Sequence, residues 1–102
     1  MGENKFRNLL DESGAIFDGH FLLTSGLHSD TYVEKFQLLK YPKLTDQICR
    51  GIADHFQHTK PSVVVGAATG GIPISQSVAR ELSARSIFAE RVDGDLIFKR
   101  GF

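Results

Sequence analysis

The chain has 102 residues and a mass of 11.3 kDa, 41% of them hydrophobic and 24% charged, with twelve basic residues against twelve acidic ones. That length allows one domain, the composition excludes wholesale disorder or a collagen-like fibre, and the balanced charge argues against binding nucleic acid or an anionic membrane. The balance holds locally too, with seven basic and eight acidic residues up to Lys60 and five and four after it; Lys99 and Arg100 are the sole adjacent basic pair. One cysteine, Cys49, forbids an internal disulfide and leaves no Cys/His set of metal-ligand spacing. No run approaches a signal peptide or the roughly 20 residues of a spanning helix, so a cytoplasmic location and no membrane are expected.

In chain order, Asn4 to Ser13 carries Phe6, Leu9 and Leu10 at helical spacing and stops at Gly14, which predicts a short helix. His20 to Ser25 and Asp30 to Lys35 read as two strands turned around Gly26, with Tyr32 and Val33 as strand-favouring side chains. A second helix is predicted from about Lys43 to His58, with Leu44, Ile48, Ile52 and Phe56 as one apolar stripe and Asp46, Arg50 and Asp54 exposed. Ser62 to Val65 is apolar on both faces, as in a buried parallel strand, and is expected at the centre of the sheet. A third helix starts near Ile72, with Pro73 tolerated in its first turn, and runs to Ser83; Ser86 to Arg91 returns as a strand. Strand, helix and strand in about thirty residues make a βαβ unit and an α/β fold.

Three segments carry chemistry. Gly66-Ala67-Ala68-Thr69-Gly70-Gly71 lies between a predicted strand and helix. Backbone N–H groups can converge there on a phosphate at the positive end of a helix dipole, and Thr69 adds a hydroxyl. The run is neither the G-x-G-x-x-G of dinucleotide folds nor the Walker loop, which needs a lysine. The alternative is a tight turn whose glycines let helix and sheet pack closely. Leu23 to Tyr32 is dense in hydroxyls: Thr24 and Ser25 offer hydrogen bonds and Tyr32 a flat face for a planar base, unless the segment is simply a polar turn. Glu90 to Gly101 reads as a hairpin turned by Asp93-Gly94, setting Arg91 opposite Lys99 and Arg100. Such cations suit a diphosphate leaving group, or they are solvated edge-strand charge. His20, His28, His55 and His58 read as surface residues with no pair at metal spacing on a helix.

Together, Phe21-Leu22-Leu23-Thr24-Ser25-Gly26-Leu27-His28-Ser29 with Tyr32-Val33, Val63 through Pro73, and Phe88-Ala89-Glu90-Arg91 resemble the N-terminal portion of orotate phosphoribosyltransferases, of the type I phosphoribosyltransferase family. The resemblance implies an α/β fold with an N-terminal hood (about residues 1–40) and the first βαβ part of a parallel sheet (about residues 43–102), forming one domain with an incomplete sheet. It implies an enzyme, a glycosyltransferase of pyrimidine biosynthesis that converts orotate and phosphoribosyl pyrophosphate to orotidine monophosphate and pyrophosphate. Mg2+ would be carried by the donor, and the protein would be a homodimer.

By position, the resemblance gives Thr24, Ser25, Tyr32 and Val33 to substrate binding, Ala68, Thr69, Gly70 and Gly71 to the pyrophosphate, and Lys99 and Arg91 to catalysis from a mobile loop. Thr24 stands where many members have a donor-contacting lysine, Gly70 where some have a lysine, and Glu90 where many have arginine. The family's acidic pair and Thr/Gly-rich ribose-phosphate loop are expected shortly after Phe102. A fragment is therefore expected, with little turnover by residues 1–102 alone. The alternatives are a non-catalytic nucleotide- or pyrophosphate-binding module and a domain that only docks a partner.

Overall fold

The computed structural model describes residues 2–102, which form two compact units divided between Leu44 and Thr45. The first unit opens with helix α1 (Glu3–Ser13), which has Glu3 in its first turn and buries Leu9 and Ser13. It stops at Gly14, whose φ of 78° is the left-handed conformation that glycine adopts freely, and the Gly14 amide closes onto the Asp11 carbonyl at 3.0 Å. Strands β1 (Ile16–Leu22) and β2 (His28–Val33) then pair antiparallel, from Ile16 opposite Val33 to Leu22 opposite His28. Both begin and end earlier than the pattern of side chains predicts. The reason lies in the turn: the Leu23 amide donates to the Leu27 carbonyl at 2.8 Å and the Gly26 amide to Leu23 at 2.9 Å, which takes Thr24 and Ser25 out of the strand.

A bulge between Asp18 and Phe21 adds one residue to β1. After β2, the Glu34 carboxylate accepts the Phe36 amide at 3.2 Å and starts a short helix, α2 (Lys35–Leu39), which the sequence pattern does not announce. Leu38 is its buried side chain.

Helix α3 (Pro42–Phe56) begins just before the boundary and runs into the second unit, ending in a 3-10 turn at Gln57–Thr59. The expected stripe of Leu44, Ile48, Ile52 and Phe56 is not the buried face at its end. Ile48, Cys49 and Ala53 are buried, whereas Phe56 is 48% exposed. Steps of four advance about 40° each around a 3.6-residue helix, so a strict four-step stripe winds away from the core.

Strand β3 (Val63–Ala67), helix α4 (Gly71–Leu82) and strand β4 (Arg85–Val92) make the predicted βαβ unit, with β3 and β4 parallel from Val63 opposite Arg85 to Ala67 opposite Ala89. Asp93 (φ 50°) and Gly94 (φ 87°) then turn the chain into β5 (Asp95–Ile97), antiparallel to β4. Two positive φ values suit the right-handed twist of a two-residue hairpin.

Among the described residues the strand order is β3-β4-β5, so β4 lies between the other two and one edge of β3 has no partner strand there. An apolar run reports that faces can be covered and says nothing about which edge is paired; here Val65 is 52% exposed. The core of this unit gathers Cys49 and Ala53 of α3 with Val78 of α4, and Ile52, Val64, Ile74 and Leu82 pack against them. Polar groups within it are bonded: the Ser77 hydroxyl donates to Asp46 Oδ1 at 2.7 Å, and Ser75 Oγ donates to the Ile72 carbonyl at 3.0 Å. Asp46, expected on the exposed side of α3, is thus half covered by α4, while Arg50 and Asp54 are exposed. No helix among the described residues is long and apolar enough to cross a membrane.

Candidate functional site

The loop between β3 and α4 is fixed at both ends by backbone geometry. Beyond the last β3–β4 pair, the Ala68 amide donates to the Ala89 carbonyl at 2.8 Å and holds the loop against β4. On the other side, β3 approaches the start of α4 so closely that a Cβ on Gly66 would overlap the Gly71 carbonyl oxygen and lie 2.7 Å from Ser75 Oγ. The close-packing reading of these glycines is therefore realised at Gly66. The loop also has the means to receive an anion, and the two readings do not compete.

Gly70 is buried in helical conformation at the N-cap of α4, and no side chain caps the helix. The Ile72 amide is used by the Thr69 carbonyl at 3.2 Å, and Pro73 has no N–H. The amides of Thr69, Gly70 and Gly71 have no acceptor among the described residues, and the Thr69 hydroxyl is likewise exposed and without a partner there. The peptide between Ala68 and Thr69 is cis. Uncapped amides at the positive end of a twelve-residue helix, with a hydroxyl beside them, are a donor set for phosphate oxygens.

The basic hairpin differs from its expected register. A two-residue turn sets Val92 opposite Asp95, Arg91 opposite Leu96 and Glu90 opposite Ile97, so Arg91 does not face Lys99 and Arg100. Arg91 donates to the Gly94 carbonyl at 2.8 Å, inside its own turn. Arg100 is engaged by Glu90, its Nε and NH2 groups reaching the two carboxylate oxygens at 3.1 Å each, with the guanidinium 6.0 Å from the Phe88 ring centre. The Arg100 hydrogen bond holds the Glu90 carboxyl below its ordinary range, and Glu90 in turn raises the guanidinium. Lys99 is exposed and makes no hydrogen bond or ion pair among the described residues, and its charge adds to the lowering of the Glu90 carboxyl. The Glu90–Arg100 pair escaped sequence reasoning because Arg100 lies past the end of the paired strand.

In the first unit, Thr24 and Ser25 sit in the β1–β2 turn, where Ser25 Oγ accepts the Leu27 amide at 3.3 Å. Tyr32 is 41% and Val33 50% exposed at the opposite end of β2, the Tyr32 ring 5.6 Å from that of Phe21. Four residue steps separate Tyr32 from His28, about 13 Å along β2. The turn pair and the strand pair are thus two separate places on the hairpin. In the second unit an open apolar groove of about 490 Å³ follows the unpaired edge of β3, walled by Ile52, Phe56, Val63, Val65, Ile74 and Leu82. Its walls are mostly carbon, with Thr59 and Ser75 as the polar side chains.

No protein-family model matches the chain. Curated relatives do, along its whole length: it is 41% identical over 102 residues to the orotate phosphoribosyltransferase of Caldicellulosiruptor bescii, covering 54% of that protein. It is 43% identical over 94 residues to that of Chlorobaculum parvum, covering 92% of this chain and 49% of the relative. Among solved structures, Leishmania donovani UMP synthase superposes with a TM-score of 0.81 at 24% identity, over 98% of this chain and 23% of that one. The orotate phosphoribosyltransferase of Aeropyrum pernix superposes with a TM-score of 0.67 at 24% identity, over 92% and 56%. The resemblance read from the residues is borne out, and with it an α/β fold matching part of these enzymes, with a small, incomplete sheet. The chain spans about half the length of the curated relatives it matches.

Proposed function

We propose that this chain is part of an orotate phosphoribosyltransferase, a cytoplasmic homodimeric enzyme that transfers phosphoribosyl from phosphoribosyl pyrophosphate to orotate and releases pyrophosphate. The observation that carries the reading is the match of all 102 residues, at about two identities in five, to several enzymes of that name. The uncapped amides at Thr69, Gly70 and Gly71 support it, because they offer the donors a diphosphate needs.

The division of labour follows from the chemistry. Departure of pyrophosphate from the ribose leaves an oxocarbenium-like centre, so the protein gains most by stabilising charge that grows on the leaving group and by holding the two reactants in line. In this reading Ala68, Thr69, Gly70 and Gly71 hold the diphosphate. Lys99, which makes no hydrogen bond among the described residues, and Arg91, once released from the Gly94 carbonyl, approach it as cations. Thr24, Ser25, Tyr32 and Val33 face the substrates.

No group of three or more His, Cys, Asp or Glu side chains that could hold a metal exists among the described residues. The residues present therefore do not form a cage for Mg2+. That ion keeps waters and phosphate oxygens as most of its ligands and travels with the donor in this proposal.

The test is orotidine monophosphate formation from orotate, phosphoribosyl pyrophosphate and Mg2+ by a protein containing this chain, with sedimentation to read the dimer. Turnover that falls about a hundredfold in Lys99→Ala supports the reading. Saturable pyrophosphate binding without any turnover favours the non-catalytic module, and neither binding nor turnover overturns both.

A further inference from the structure

His20 and His28 stand on neighbouring strands of the β1–β2 hairpin with His20 Nε2 and His28 Nδ1 only 2.7 Å apart and ring centres 4.9 Å apart. The register at the turn end sets His28 opposite Leu22, so His20, two residues before Leu22 on the same strand and beside the bulge between Asp18 and Phe21, lies diagonally across from it. Both rings are exposed. A contact this short between two imidazoles requires one nitrogen to donate and the other to accept, and each ring keeps its remaining nitrogen for water.

We propose that this pair is a chelating site for a borderline divalent cation of the late first transition row, with Zn2+ as its representative. Two ring nitrogens on one tetrahedral zinc at about 2.0–2.1 Å each stand about 3.3 Å apart. The rings therefore need to part by about 0.6 Å, within the reach of two exposed side chains on rotatable χ angles. The proton balance is simple. The ring that accepts already has its lone pair directed at the shared space and its proton on the far nitrogen, and the ring that donates moves its proton to its own far nitrogen through water. Two neutral imidazoles then bind without net proton release, and each keeps an outward N–H for solvent or a carbonyl.

The remaining coordination positions are filled by water, which leaves the site open to an anionic ligand. Imidazole nitrogen selects zinc, nickel or copper over magnesium, a hard ion that takes oxygen. The site therefore stays distinct from any Mg2+ that arrives with a phosphate. It also closes the base of the turn that carries Thr24 and Ser25, across a tip otherwise held by the Leu23–Leu27 hydrogen bond.

The test is calorimetric titration of the 102-residue chain with zinc sulfate, and with magnesium chloride as the contrast, alongside nitrogen NMR of the histidine rings. The expected result is one zinc per chain with a dissociation constant below about 1 mM. Coordination shifts should appear at His20 Nε2 and His28 Nδ1, with no response to magnesium. His20→Asn and His28→Asn should each weaken binding roughly tenfold or more, because a single imidazole loses the effective concentration of the pair. His55→Asn with His58→Asn should leave it unchanged. Absence of saturable binding, or binding kept in both hairpin variants, overturns the proposal. The ring shifts of the unmutated chain decide the matter even where a variant folds poorly.

Discussion

Arg100 grips both carboxylate oxygens of Glu90 at 3.1 Å, joining the last residues of the chain to the middle strand of its sheet. A forked contact of this kind engages two of the five N–H donors of the guanidinium, whereas Lys99 makes no hydrogen bond among the described residues. The pair is exposed at the guanidinium, which limits what it adds to stability.

Its effect on acid sensitivity has a definite sign. Glu90 has its carboxyl lowered in the fold, first by the Arg100 hydrogen bond, so the stabilisation is complete above the ordinary value of 4.5 and is lost as the pH falls below it. Carboxyl NMR should show Glu90 titrating below that value in the native protein and returning toward it in Arg100→Ala. A Glu90 titration unchanged by that substitution would contradict the assignment.

Gly66→Ala should be the most damaging single methyl in the second unit. The added carbon meets the Gly71 backbone oxygen, which cannot swing aside as a side chain can, and the Ser75 hydroxyl at 2.7 Å. Overpacking of this kind costs about 1–3 kcal/mol, to be read as a lower midpoint in urea. Because the same contact fixes the start of α4, pyrophosphate binding should weaken in parallel.

Ser77→Ala removes the 2.7 Å donor to Asp46 Oδ1 from a residue only 5% exposed. The lost hydrogen bond should lower stability by about 0.5–1.5 kcal/mol. Asp46 is partly solvated and near Arg80 at 4.0 Å, so its carboxylate is not stranded and the loss should stay in that range. Thermal melts of the variant against Asp46→Asn, and of the double variant, will show non-additive losses if the two groups are partners.

Cys49 should be inert in the native state. Burial raises its thiol above the ordinary 9.0, with the Ser77 hydrogen bond opposing and the Asp46 charge assisting the rise. A raised value means the fold favours the thiol, so its contribution holds below pH 9.0 and is lost as the pH climbs through the folded value. Alkylation at neutral pH should proceed only through opening, and Cys49→Ala should flatten the alkaline loss of stability.

The βαβ unit was legible because three independent signals agree there: the valines of β3, glycines at the strand-to-helix turn, and Ile74, Val78 and Leu82 on one face of α4. The order β3-β4-β5 was not, since it depends on which edges find partners. Helix α2 escaped because five residues cannot display a period, and its start depends on the Glu34 carboxylate meeting the Phe36 amide. At the site, the donors of the loop were readable from Thr69, Gly70 and Gly71. The hairpin register follows from a two-residue turn at Asp93-Gly94 by counting, and placing Lys99 opposite Arg91 ignored that count. The nearness of His20 and His28 was hidden because it depends on the register at the turn end, Leu22 opposite His28, which the residue types do not specify.

The division between Leu44 and Thr45 cuts the chain into consecutive stretches, and every strand pairs within its own stretch. The widest reach, from Val63 to Arg85, is 22 residues. At translation rates of about 5–20 residues per second, a strand waits roughly one to four seconds for its partner to leave the ribosome. The hairpin of β1 and β2 is free to close while the helix after it is still being made.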